Sequence, residues 1–291
     1  MRHMRPVSYL AGLGLIIVAV GGCGKKTSAT ILPAGTQAST PEQTTPKPVA
    51  GPDLSLTRDE YIRAGVPAPD RTWSAEDMRD AVKALGMLKD TRALPRYKSG
   101  RSGDVFSRIT SADNLRLYQD RSRPVDGRLS EAISFMDAFD EMSKLYIVAF
   151  RDDSTRDADE VEIVAAVMRL TVVLLEIVDQ YVPTLKKDAP DFERRMKGVS
   201  QMRQGLASQM VGQLRMLEKK EYRLSERSRL VGYMRVTFPA MASQAPVASQ
   251  KEIESRLEQL SKDPQLKELH PGLAQLRGDL QKAVEKQPLP R

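Results

Sequence analysis

Between Ala158 and Leu185 the sequence places Val, Ile, Leu and Met around most of a helical circumference, with polar residues recurring at Glu162, Arg169 and Glu176. A seven-residue spacing puts those three on one narrow side of an α-helix. A helix apolar over the rest of its surface needs neighbours on nearly every side. Those three charges, set within the run, argue against a membrane span. The segment therefore predicts the central helix of a bundle, with Glu162, Arg169 and Glu176 forming a narrow solvated seam. Two carboxylates with an arginine between them stay ionised, which argues against an acid–base pair of the kind a glycosidase uses.

The flanking segments supply the partners. Phe135, Phe139, Met142, Tyr146 and Phe150 form one apolar stripe at spacings of four, three, four and four, which predicts a helix from a cap at Asp126 to about Phe150. Asp188-Ala189-Pro190 predicts the start of the next long helix, with proline in its first turn. This helix carries Gly198, Gly205 and Gly212 seven apart, flanked by Met196, Met202, Met210 and Met216. Each glycine costs about 1 kcal/mol against alanine in a helix interior. Close packing inside the bundle is the expected reason. A plastic groove for an apolar ligand or a partner helix, centred on Gly198, Gly205, Gly212, Met202 and Met210, is the functional alternative. Methionine copper binding is disfavoured, since no histidine accompanies these residues.

A further helix from about Ser225 carries Leu230, Val231, Met234 and Phe238 and is expected to end by Pro239. No Gly or Pro near Tyr222 marks a break, so the sequence leaves open whether residues 190–238 hold one helix or two. Ser249 and Glu252 read as a capping box, Asp263-Pro264 as a break, and His270-Pro271-Gly272 as a turn before a last helix to about Lys282. The end, Gln287 to Arg291, is expected to fray. Residues 121–180 hold thirteen acidic and seven basic side chains, whereas residues 186–235 hold six acidic and thirteen basic. That polarity favours pairing between the two segments, at about 0–1 kcal/mol per exposed pair.

On the N-terminal side, residues 56–71 read as an extended lead-in containing Gly65-Val66-Pro67-Ala68-Pro69. Ser74 with Asp77 marks a helix start, followed by Met78, Val82, Leu85 and Leu88. The loop Lys98-Ser99-Gly100-Arg101-Ser102-Gly103-Asp104 has glycines, a lysine and an arginine beside a helix start, but not the P-loop spacing; a surface turn is the expected outcome. Thr110 to Asp113 opens a short helix carrying Leu115, Leu117 and Tyr118.

The first two dozen residues run from Arg2 and Arg5 through the apolar Tyr9–Val20 to Val20-Gly21-Gly22-Cys23. The order is charged, apolar, small, and the apolar run is shorter than the roughly 20 residues a spanning helix needs. This arrangement resembles the signal of bacterial lipoproteins, although Val20 stands where that family usually has leucine. The resemblance implies cleavage before Cys23, a lipidated Cys23 as new N-terminus, and residence in the cell envelope. Gly24 in place of aspartate favours the outer membrane, facing the periplasm, by the same analogy. Gly24 to about Leu56, rich in Pro, Thr, Ser and Ala, reads as a tether that buries too little to offset ordering. As a flexible chain it spans about 30 Å, or about 100 Å if drawn into polyproline II.

Cys23 is the chain's one cysteine, so anchoring it leaves no disulfide and no thiol nucleophile. The formal charge of +7 falls by two when Arg2 and Arg5 leave, a modest surplus compatible with anionic surfaces. No basic-aromatic nucleic-acid module is present. One histidine, His270, remains after residue 22, too few for a histidine zinc site, and no hydrolase or nucleotide motif occurs. The fold expected is all-α: an antiparallel bundle of about four long helices with short flanking ones. Its expected divisions are a signal at 1–22, a tether at 23–57, short helices at 58–120, a core bundle at 121–243 and a helical extension at 244–291. No cofactor, metal or catalytic residue is assigned. The function expected is that of a non-catalytic envelope accessory protein with a protein partner. The alternatives are a carboxylate enzyme acting on an envelope polymer and a binder of an apolar ligand.

Overall fold

The computed structural model describes residues 53–285, so Cys23, the signal, most of the tether and the C-terminal end lie outside the described residues. The chain forms α1 (Arg58–Arg63), α2 (Ala75–Gly86), α3 (Gly103–Ile109), α4 (Asp113–Gln119), α5 (Val125–Asp152), α6 (Asp157–Tyr181), α7 (Phe192–Arg215), α8 (Leu224–Ala242), α9 (Val247–Lys262) and α10 (His270–Glu285). It is an all-α antiparallel bundle, with no strand among the described residues.

The central helix is α6, of whose 25 residues nineteen are buried. Its two faces serve two apolar clusters. One is shared with α1–α5 and gathers Tyr61, Trp73, Phe106, Tyr118, Phe135 and Phe139. The other is shared with α7–α10 and gathers Met168, Leu214, Tyr222, Phe238, Leu257 and Leu276. The two clusters meet along α6, with Val199 of α7 joining the first and Phe150 of α5 the second. The α5 stripe packs as its spacing requires, with Phe135, Phe139, Met142, Tyr146 and Phe150 all buried.

Local signals set several boundaries. Ser74 and Asp77 cap α2 reciprocally, the Asp77 amide donating to Ser74 Oγ at 3.2 Å and the Ser74 amide to Asp77 Oδ2 at 2.9 Å. The lead-in at 56–71 is not wholly extended. Thr57 and Glu60 form a second capping box and start α1, which Gly65 ends with a φ of +99°.

Elsewhere packing displaces the expected boundaries. Helix α5 begins at Val125 after Pro124, with no side-chain cap from Asp126. Helix α7 begins at Phe192, because residues 187–191 form a turn that leaves Pro190 before the helix. Residues 190–238 hold two helices, parted by a 3-10 turn at Met216–Glu218 and a bend through Tyr222. Pro239 lies inside α8, which runs on to Ala242. Phe238, Met241 and Ala242 are buried there, and their burial outweighs the one backbone bond that proline forfeits. Ser249 and Glu252 lie within α9, which starts at Val247 after Pro246 without a side-chain cap. His270 is the first residue of α10 instead of an exposed turn residue; it is half-buried, with Nε2 2.9 Å from the Asp263 carbonyl.

The glycines of α7 do not share a packed face. Gly198 is buried, but Gly205 is exposed and Gly212 half-exposed, and a Cβ at either would meet nothing within 4 Å. The close helix approach is at Gly272 instead, where a Cβ would come within 3.0 Å of Val231 Cγ1 between α10 and α8. Gly205→Ala and Gly212→Ala should each stabilise the fold by about 0.5–1 kcal/mol by restricting the unfolded chain. Gly272→Ala should show no such gain. Urea titration of the three variants checks this, and an unchanged or lower midpoint for the α7 pair would contradict it.

Candidate functional site

The first two turns of α6 carry Asp157, Asp159, Glu160 and Glu162, all buried. Carboxylates suit the positive end of a helix, but burying charge demands partners. Successive residues point about 100° apart, so the four reach different parts of the fold.

Asp157 receives a fork from Arg223, with Nε donating at 2.9 Å, Nη2 at 2.7 Å and the Arg223 amide at 3.0 Å. Glu160 takes Lys219 Nζ at 3.0 Å. The Lys219 ammonium also lies 5.2 Å from the Phe150 ring and 5.1 Å from the Tyr222 ring. Glu162 accepts from Arg229 and from the Tyr233 hydroxyl, while Arg229 also pairs with Glu226. These bonds fix the bend between α7 and α8. Buried Tyr222, edge-on to Phe150 at 5.2 Å, completes it. Three pairs, each with a buried carboxylate and a partly exposed cation, thus join the acidic and basic segments, with Asp179–Arg203 a fourth and more exposed one. Removing a cation from one of the first three would leave a buried carboxylate desolvated, whereas removing the carboxylate would leave the cation within reach of water.

Asp159 and Arg156 face the other way, toward the linker between α2 and α3. Arg156 Nη2 donates to the carbonyls of Arg92 at 3.0 Å and Leu94 at 2.9 Å. The Tyr61 hydroxyl takes the Ala93 carbonyl at 2.5 Å, and the Tyr146 hydroxyl takes that of Pro95 at 3.0 Å. The Tyr97 amide donates to Asp159 Oδ1 at 2.8 Å. Four consecutive carbonyls and the Tyr97 amide of a proline-interrupted segment are therefore satisfied by side chains where no helix can satisfy them. Asp159 Oδ2 lies 3.4 Å from Arg156 Nη1 and 3.8 Å from Arg96 Nε. Burial pushes the Asp159 carboxyl up to about 6, against the pull of Arg156, the Tyr97 amide and Arg96. Burial beside Asp159 likewise raises the Tyr146 phenol well above its ordinary value.

Glu162, Arg169 and Glu176 do not form one solvated seam. Glu162 is buried, as above. Arg169 is half-buried, donates to the Thr110 carbonyl at 2.9 Å and sits 5.8 Å from the Tyr233 ring. Glu176 is exposed and accepts from Gln119 at 3.3 Å. The line faces α3–α4 on one side and α8 on the other, so each member finds a partner off its own helix.

The glycine–methionine positions separate as well. Gly198 and Met202 line a small apolar cleft with Leu129, Ile133, Leu174 and Val178, of about 330 Å³ including its solvent-open mouth. Met210 is fully buried in the second cluster, away from that cleft's lining. The Lys98–Asp104 loop is not a bare surface turn. Ser102 is fully buried, Lys98 has a φ of +56°, and the Ser99 hydroxyl donates to the Asp53 carboxylate. An acidic side chain of the chain itself thus occupies the loop that glycines and cations suggested for an anion.

Among the described residues no group of three or more His, Cys, Asp and Glu could hold a metal ion, and no helix is long and apolar enough to cross a membrane. Comparison with protein-family models, curated proteins and solved structures gives no match.

Arg156, Trp73 and the 92–97 segment carried no readable motif. The available signal was Leu94-Pro95, a buried-type residue before a helix breaker, whose carbonyls would need side-chain donors. Trp73 had no periodic neighbours to announce it.

Proposed function

We propose that this protein is a lipid-anchored component of the bacterial cell envelope that works by contact with a protein partner, held through Cys23 to the outer membrane on its periplasmic side. The observation that carries this reading is the ordered run of Arg2 and Arg5, the apolar Tyr9–Val20 and Val20-Gly21-Gly22-Cys23. Two acyl chains on Cys23 give stable attachment where one would be marginal. The buried carboxylates support a contact role over an enzymatic one, since Asp157, Glu160 and Glu162 each already hold a cation of the fold. For the partner we favour the outer face of α7. Gly205 and Gly212 cost helix stability there, and no packing within the described chain accounts for them. A partner backbone lying close would account for them.

Cys23→Ser should abolish palmitate labelling and move the protein from the membrane to the soluble fraction, with the bundle still folded by circular dichroism. Retained membrane attachment in that variant would sink the lipoprotein reading. A photo-cross-linking residue at Gly205 in intact cells should capture a discrete envelope protein. Absence of any adduct under all growth conditions would remove the α7 assignment and leave the anchor untouched.

A further inference from the structure

Asp53 to Leu56 lie at the end of the expected tether, yet they are fastened to the fold. Asp53 Oδ1 accepts from the Ser55 amide at 3.0 Å and the Ser55 hydroxyl at 2.6 Å, and Oδ2 accepts from the Ser99 hydroxyl. The Ser102 hydroxyl donates to Ser55 Oγ at 2.9 Å, and both serines are fully buried. The Ser99 oxygen in turn receives the Arg101 amide at 3.0 Å, and Ser102 Oγ the Arg96 amide at 3.0 Å. This network ties the 98–103 loop, with its left-handed Lys98, to the segment gripped by Arg156 and Asp159.

Apolar burial contributes little to the fastening. Leu54 is 42% exposed and Leu56 half-buried, whereas Tyr61 behind them is fully buried. A segment held by a few polar bonds and little buried surface opens at lower free energy than a helix in the core. We infer that residues 53–56 form a strap, latched by the Asp53 carboxylate onto the 98–103 loop, which opens independently of the bundle while the Thr57 cap and buried Tyr61 keep α1 formed and docked. Opening adds four residues, about 13 Å when extended, to the free chain preceding the fold. That gain in reach matters only if Cys23 is anchored as proposed, whereas the latch itself does not depend on anchoring.

The charge state agrees with this geometry. Burial opposes the Asp53 carboxylate, but the Ser55 and Ser99 hydroxyls, the Ser55 amide and the charge of Arg96 outweigh it and lower its pKa. A lowered carboxyl contributes stability above its unfolded value and loses it as pH falls, so acid weakens the latch.

Hydrogen exchange by mass spectrometry on the full chain tests the inference. In the wild type, the amides of Ser55, held by Asp53, and of Leu56, held by the Tyr61 hydroxyl at 3.2 Å, should exchange more slowly than in an unstructured chain. Asp53→Ala and the milder Ser99→Ala should each speed that exchange about tenfold, the effect of losing hydrogen bonds to a charged group. Amides of α5 and α6 should stay unchanged. Unprotected strap amides in the wild type, or no acceleration in either variant, would overturn the latch. Equal acceleration throughout α5 and α6 would overturn its independence.

Discussion

Arg156→Met is expected to destabilise the fold by about 3–5 kcal/mol, the range for breaking a buried ion pair from one side. The side chain is 1% exposed, so no solvent replaces it. Its loss strips the Arg92 and Leu94 carbonyls of their donor and leaves Asp159 with the more distant Arg96. The size of the loss should depend on pH. Asp159 sits at about 6 in the fold against an ordinary value of 3.8, so the native state binds its proton more readily than the unfolded chain. Its favourable contribution is complete below about pH 4 and lost as pH rises through about 6. Removing Arg156 raises the carboxyl further, so the variant should lose more at pH 8 than at pH 5, where a neutral Asp159 needs no cation. Urea denaturation at both pH values measures this. Arg156→Met combined with Asp159→Asn should recover part of the loss, because Asn can still accept the Tyr97 amide and no buried charge remains. An additive double-variant cycle would show that the pair is uncoupled.

Trp73→Ala is expected to cost about 3–5 kcal/mol, the usual price of emptying a buried aromatic site. Trp73 is fully buried in the cluster shared by α1–α5 and α6. Its indole Nε1 donates to the Ala68 carbonyl at 3.0 Å, and its amide donates to Asn114 Oδ1 at 2.9 Å. Asn114, itself fully buried, returns a bond from Nδ2 to the Arg108 carbonyl at 2.8 Å. Trp73 therefore closes the lead-in onto the α3–α4 junction. The loss should concentrate there, with limited proteolysis cutting first within residues 53–120. Because Trp73 is the chain's one tryptophan, its emission reports the same site, and a native spectrum at the red wavelengths of solvated indole would contradict the burial.

Neither of these two sites carried a readable motif, whereas features set by neighbouring residues did. The α5 stripe and the apolar circumference of α6 were legible because helical periodicity is a local property, and burial follows it directly. The same holds for Ser74 and Asp77, whose reciprocal bonds span only three residues. The opposed charges of residues 121–180 and 186–235 were legible as a tendency, and Asp157–Arg223, Glu160–Lys219 and Glu162–Arg229 realise it. The burial of their carboxylates was not legible, because it depends on α8 folding back over the head of α6. The spacing of Gly198, Gly205 and Gly212 suggested one packed face, but a seven-residue repeat fixes only the side of a helix. Which neighbour covers each turn decided that Gly198 is buried and Gly205 open.

The sequence by itself determined that the described chain is helical, that α6 is its centre, and that the N-terminal run resembles an export and anchoring signal. Each of these rests on residues near one another along the chain. Tertiary structure alone decided where α7 and α8 part, why Pro239 does not end α8, and that Asp53 closes the 98–103 loop. It also decided that Arg156 and Asp159 hold the 92–97 backbone. Each of those outcomes balances a local preference against burial or a hydrogen bond supplied from tens of residues away, and only the folded chain brings the two together.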